Sequence, residues 1–199
     1  MRSYFIRVPK LADILFPRLT WRLNSSHVFL TFDDGPDPVY TPAILDLLRS
    51  YQIQCTFFLI TEKCLLYPEL VQQIKDDGHT IGFHGHTHQA LNDMTLEEIN
   101  SLLVLPEILK DVQLYRPPYG KISRRQIKLL SNRYSVVMYS FVLGDFDSTV
   151  DHTELMSRMK KINAGDIVLL HENLKSLKLL QDFLSEFPKD KFNPLNRIN

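Results

Sequence analysis

A single α/β domain built on parallel strands is the fold class this sequence predicts, and three features predict it. From residue 27 onward, short β-branched and aromatic runs alternate with segments of helical period, an order that demands crossover connections and gives a parallel sheet or barrel. The 199 residues, 44% apolar and 23% charged, suffice for one substantial core, and no repeat, low-complexity tract or linker divides them. Unusual polar residues follow the ends of successive apolar runs, and the C-terminal ends of parallel strands share one rim.

Met1 to Lys10 contains no continuous apolar stretch and no small-residue cleavage site, so it does not read as a secretory signal. No later segment reaches transmembrane length, and a cytoplasmic location is the expectation. Residues 11–23 mix Leu11, Ile14, Leu15, Phe16, Leu19 and Trp21 with Arg18 and Arg22, a composition that suits a membrane surface. Pro17 interrupts the helical stripe, so a packed N-terminal arm over residues 1–26 is expected, with the main domain at 27–199.

Strands are expected at 27–32, 55–60, 79–83, 113–116, 135–142 and 166–170. Helices are expected near 41–50, 67–77, 95–112, 123–132, 152–163 and 174–186. Thr41-Pro42 reads as a cap with proline at the first helical position, and Gly78 as a C-terminal stop. Thr95-Leu96-Glu97-Glu98 fits a capping box, and Pro106 should kink or split the helix that follows. Gly165-Asp166 separates the last clear helix from the last clear strand.

The first strand runs into Thr31-Phe32-Asp33-Asp34-Gly35-Pro36. Adjacent carboxylates at a strand end point in different directions, so one can hold a metal while the other handles a proton. Alone, such a turn is ordinary loop chemistry. The third strand leads into His84-Gly85-His86-Thr87-His88, where one helical turn would put His84 and His88 on one face. That spacing suits two nitrogen ligands of one transition metal, with His86 directed elsewhere; a solvated turn is the plain alternative. Arg116-Pro117-Pro118-Tyr119-Gly120 is a stiff loop able to fix an arginine and a backbone amide. Gly144-Asp145-Phe146-Asp147 follows the fifth strand, and His171 ends the sixth. Singly these read as a solvated loop and a structural histidine, but gathered on one rim the set fits metal-assisted hydrolysis.

Bulk charge excludes other readings. Lys plus Arg equals Asp plus Glu at 23 each, so no global field favours nucleic acid. Cys55 and Cys64 lie in or beside apolar sequence outside any Cys-x-x-Cys pair and read as reduced packing residues.

In order and spacing, these motifs resemble the polysaccharide deacetylases, also called carbohydrate esterase family four, across roughly residues 27–187. Thr31 to Pro36 matches the family's first motif, Arg116-Pro117-Pro118-Tyr119 its third and Leu169-Leu170-His171 its fifth. The resemblance implies a single-domain α/β fold, an irregular (β/α) barrel of about seven parallel strands. It also implies one divalent metal ion, zinc first, with cobalt or nickel suited to the same ligands Asp34, His84 and His88. Asp33 would be the general base and His171 the general acid; Arg116 would orient Asp33, and Asp145 would keep His171 cationic. The Tyr119 backbone amide, with the metal, would hold the oxyanion, and Leu169, Pro118 and Phe146 would contact substrate.

The implied reaction is hydrolysis of N-acetyl groups from an N-acetylglucosamine-containing glycan, releasing acetate. An O-acetyl polysaccharide esterase, or a carbohydrate-binding protein without activity, are the alternatives. Three positions depart from the family pattern. Gly85 replaces a Ser or Thr whose hydrogen bond Thr87 or His86 would have to supply, and Phe146 replaces a Trp. Only Lys191 to Leu195 is left to form a last strand. Oligomeric state has no signal in the sequence.

Overall fold

The computed structural model describes residues 6–195. Among these residues, eight strands form one sheet: β1 (Leu19–Thr20), β2 (Phe29–Gly35), β3 (Thr56–Leu59), β4 (Thr80–Phe83), β5 (Leu114–Tyr115), β6 (Ser135–Val137), β7 (Phe141–Val142) and β8 (Ile167–His171). Their order is β1-β6-β5-β4-β3-β2-β8-β7, and every pairing is parallel. The sheet curls into an irregular α/β barrel, with eight strands instead of about seven.

Two strands are added to the six expected runs: β1 comes from the arm, and the other arises where a single strand was expected over 135–142. That segment changes neighbours: β6 pairs with β5 and β1 at its start, while β7 pairs with β8 at its end. Between them the buried Ser140 hydroxyl accepts the Ile167 N–H and donates to Asp166, replacing ladder bonds where the chain crosses over. The segment therefore links the two ends of the strand run β5-β4-β3-β2-β8.

Eight helices accompany the strands among the described residues: α1 (Leu11–Leu15), α2 (Tyr40–Ser50), α3 (Thr61–Leu66), α4 (Pro68–Asp76), α5 (Leu96–Ser101), α6 (Arg124–Leu130), α7 (His152–Met159) and α8 (Leu174–Phe183). The capping box at Thr95 forms, and Gly78 follows α4 at φ +77°. The helix expected over 95–112 stops at Ser101, and only a 3-10 turn, Glu107–Leu109, follows Pro106. Thr41-Pro42 is not a cap. The Asp37 carboxylate accepts the Val39 and Tyr40 N–H groups, so α2 begins before Thr41, whose buried hydroxyl bonds Glu172 instead.

Period-two alternation sorts the strand residues into two layers. Leu30 and Phe32, Phe57 and Leu59, Phe83, Tyr115, Val136, Val168 and Leu170 face the helices in the larger core. Phe29, Phe58, Leu114, Val137 and Ile167 fill the barrel interior with Leu195. Gly82 faces inward too, and the Phe58 ring fills the place a Cβ would take. Among the described residues, the C-terminal stretch makes a single bridge, Phe192 to Val28, instead of a strand. Its backbone is held by the Leu195 N–H donating to Thr56 Oγ1, which seats Leu195 in the inner layer.

Residues 1–5 of the expected arm lie outside the described residues; from residue 6 it packs by backbone and by side chains, with Leu19 buried and Ile6, Phe16 and Trp21 against the larger core. Residues 6–8 run beside β7, with Val8 N–H donating to Ser140 O and Val142 N–H to Ile6 O. After α1 the chain enters the sheet as β1. Cys55 and Cys64 are free, buried thiols, and burial pushes Cys64 up to about 12.

His79, beneath β4, is a buried packing histidine. Its Nδ1 accepts the Cys55 N–H at 3.0 Å, and its ring meets Phe57 edge-on. Burial lowers its pKa from 6.5 to about 4, outweighing the nearby Asp77 charge. The unfolded chain then binds more protons than the folded one between these values. His79 should thus contribute up to about 3 kcal/mol above pH 6.5, lost as pH falls towards 4. Denaturant titrations across that window should show the slope flattened in His79→Gln; an unchanged slope would refute the assignment.

Candidate active site

The Asp33-Asp34 pair is presented by a bulge. Strict alternation would send Asp34 to the helix face, away from Asp33. Instead the β2–β3 register shifts between Asp33 and Gly35, and Asp34 takes φ +73°. Both carboxylates consequently reach the same rim. Lys63 on α3 donates to the Asp34 carbonyl at 2.6 Å and so fastens the bulge from outside. His88 and Tyr119 also have positive φ, at 59° and 60°. Such backbone is held only where surrounding contacts enforce it, and here three of the four non-glycine instances among the described residues are rim residues.

His84 and His88 converge with Asp34, but not through the expected helical turn. Residues 84–88 form a bent loop with Gly85 at φ +90° and His88 in the left-handed region. Asp34 Oδ1 lies 3.4 Å from His84 Nε2 and 3.0 Å from His88 Nε2. One donor atom from each of the three residues falls within 4.8 Å of the others. His84 Nδ1 donates to the Arg116 carbonyl at 2.8 Å, which leaves the Nε2 lone pair directed at Asp34. Asp34 Oδ1 is buried without a well-directed hydrogen bond, an unsatisfied acceptor between two imidazoles. Two imidazole nitrogens and one carboxylate oxygen with further positions open suit a catalytic divalent cation.

His86 turns away, as expected, bonding Thr61 Oγ1 at 3.1 Å and the Ser101 carbonyl at 3.2 Å. It therefore does not replace the hydroxyl absent at Gly85; the Arg116 carbonyl steadies His84 instead. A side chain at Gly85 would meet strained backbone and the Pro118 ring, 3.4 Å from its Cβ.

Behind Asp33 stands Arg116, fully buried. Its Nη1 donates to Asp33 Oδ1 and to Thr31 Oγ1, each at 2.7 Å, and its Nη2 to the Met138 carbonyl at 2.9 Å. The guanidinium lies 4.0 Å from the centre of the Phe58 ring. Asp33 Oδ2 faces the other way, 3.7 Å from His84 Nε2.

On the opposite wall His171 Nδ1 lies 3.0 Å from Asp145 Oδ1, and the His171 N–H donates to Asp145 Oδ2 at 2.7 Å. Asn173 Nδ2 and Ser176 Oγ donate to the same carboxylate, at 2.9 and 2.7 Å. Burial alone would push His171 down. The Asp145 charge and hydrogen bond, aided by Asp33 and Asp34, outweigh it and hold the imidazole at about 9. Burial likewise opposes ionisation of Asp145, and His171 with Ser176 overcomes it, lowering that carboxyl.

The remaining expected residues lie around these. Phe146 meets His171 edge-on with ring centres 5.2 Å apart, and the Tyr119 ring lies 4.6 Å from His88. Pro118 is buried beside Gly85, and Leu169 pairs with Thr31 in the strand register. Thr31 carries no role in the sequence reading beyond its place in the first motif, and Lys63, Asn173, Ser176 and Glu172 do not feature there. Thr31 was findable, two residues before Asp33 on the same strand face. So was Asn173, which caps α8 by accepting the Ser176 N–H while its amide bonds Asp145. Glu172, pushed by burial up to about 7, packs behind Gly35 and bonds Thr41, and no local pattern announces it.

A sequence profile described as polysaccharide deacetylase matches residues 22–136. The peptidoglycan-N-acetylglucosamine deacetylase of Bacillus cereus is 34% identical over 169 residues, 77% of either chain. A chitooligosaccharide deacetylase of Azorhizobium caulinodans is 31% identical over 158 residues, 75% of either chain. Among solved structures, a peptidoglycan N-acetylglucosamine deacetylase bound to 4-naphthalen-1-yl-N-oxidanyl-benzamide superposes with a TM-score of 0.83. That match has 27% identity and covers 94% of this chain and 95% of the other.

Proposed function

Because this chain belongs to the polysaccharide deacetylase family, we propose that it hydrolyses N-acetyl groups of an N-acetylglucosamine-containing glycan, releasing acetate, at the site built by Asp33, Asp34, His84, His88 and His171. The observation that carries this reading is the convergence of a three-residue metal cradle with an arginine-held carboxylate on one side and a charged histidine on the other.

Asp34, His84 and His88 would hold the divalent ion, with zinc the first expectation from two imidazoles and a carboxylate. Bound there, it would supply Lewis acidity, activating water and polarising the acetyl carbonyl. Asp33 is the general base. Arg116 occupies its Oδ1, so Oδ2 takes the proton of the attacking water. The Tyr119 backbone amide donates to the oxyanion as the carbonyl becomes tetrahedral. His171, its Nδ1 committed to Asp145, protonates the departing amine through Nε2. Leu169 and Pro118 bound the acetyl side of the pocket, and Phe146 offers a ring to the sugar.

Side-by-side assays on N-acetylglucosamine oligomers and O-acetylated xylan test the reading. Acetate should come predominantly from the former. Release from xylan alone would replace amide hydrolysis with ester hydrolysis, since both pass through a similar oxyanion.

The acid role fixes a pH dependence. His171 must carry its proton, so turnover should fall as pH rises through about 9. Asp145→Asn removes the charge that most raises this imidazole, so the alkaline limb should move towards the ordinary 6.5. A pH–rate profile whose alkaline limb stays put in Asp145→Asn would sink the acid assignment.

A further inference from the structure

A surface helix ordinarily turns its apolar stripe inward. α1 does the reverse. Leu11, Ile14 and Leu15 occupy i, i+3 and i+4 on one face and are 58%, 75% and 51% exposed, and no residue of the helix is buried. Its acid is turned to the protein, where Asp13 accepts from Arg22 at 2.7 Å and Arg22 also donates to the Val8 carbonyl.

Basic residues flank the Leu15 end of this stripe. Leu15 lines one surface concavity of about 370 Å³ together with Arg18, Arg124 and Lys128. Two neighbouring concavities, of about 680 and 450 Å³, share Lys128 or Arg18 with it, and the larger adds Arg125. No acidic residue lines any of the three. The chain as a whole has no net charge, so this face holds cations that are balanced elsewhere.

We propose that α1 and the adjoining face of α6 dock this protein onto an anionic lipid bilayer, with Leu11, Ile14 and Leu15 entering the interface and Arg18, Arg124 and Lys128 meeting the headgroups. Charge complementarity selects this occupant. A dissolved polyanion would use the cations but has no use for an exposed aliphatic stripe. A second copy packed by two-fold symmetry would bring the basic residues against themselves. Pro17, which ends the helix early, keeps the stripe short, so the attachment is peripheral. This surface is separate from the metal cradle, and its test does not depend on deacetylation.

The full chain should cosediment with phosphatidylglycerol-containing vesicles but not with pure phosphatidylcholine vesicles. Ile14→Glu/Leu15→Glu should abolish sedimentation, and Arg124→Ala/Lys128→Ala should weaken it about thirtyfold, near what two basic contacts contribute. These side chains are exposed, so both variants should melt like the wild type and release acetate from soluble oligomers at its rate. Failure of the wild type to bind anionic vesicles would overturn the proposal. So would binding that survives Ile14→Glu/Leu15→Glu, which would indicate a polyanion site, or self-association lost in that variant without vesicle binding, which would indicate a second copy.

Discussion

Asp33→Asn should lower turnover by about a hundredfold or more while leaving metal uptake intact. The substitution keeps the shape of the side chain and its acceptor towards Arg116, yet removes the group that takes the proton. Asp34, His84 and His88 remain to hold the ion, so zinc binding by equilibrium dialysis should match the wild type. Arg116 is left with a buried charge that lacks its counterion, so folding must be verified at the assay temperature. Wild-type turnover in Asp33→Asn would remove the base assignment. Loss of zinc from this variant would show that Asp33 is a ligand instead.

Arg116→Ala should destabilise the fold by about 3–5 kcal/mol, because it strands the buried Asp33 charge and empties the space against Phe58. That is a large share of the roughly 5–15 kcal/mol typical of a domain. The guanidinium also satisfies Thr31 and the carbonyls of Val137 and Met138, tying β2 to the β6–β7 segment across the barrel. Chemical denaturation should recover part of the loss in Arg116→Ala/Asp33→Asn, the signature of a coupled pair. A loss below about 1 kcal/mol in the single variant would mean that the barrel does not rely on this ion pair. Arg116→Lys should fall between, since one ammonium cannot reproduce the fork that meets Asp33, Thr31 and Met138 together.

The alternation of apolar runs and helical periods was enough to place β2, β3, β4 and β8, because each is a short, largely buried apolar run. It failed at 135–142, where Ser140 alone interrupts the run before Phe141 and a change of pairing partner divides the segment. The short α3 was missed because its six residues complete fewer than two turns. α1 was expected to pack, and its outward stripe is visible only once the backbone fixes which side faces the sheet.

At the site, residue types and order were legible, but the means of convergence were not. The His84–His88 spacing suggested a helical turn, and a left-handed loop delivers the same pair. The shared face of Asp33 and Asp34 depends on a bulge that alternation argues against. Ser176 and Lys63 act through contacts 31 and 29 residues distant in sequence, beyond the reach of any local pattern.

The most direct test is acetate release from short N-acetylglucosamine oligomers by metal-replete protein, before and after chelation and with added zinc or cobalt. Chelation should abolish release and the added ion restore it, with His84→Ala and His88→Ala failing to recover. Acetate release undiminished by complete metal removal would contradict metal-assisted hydrolysis.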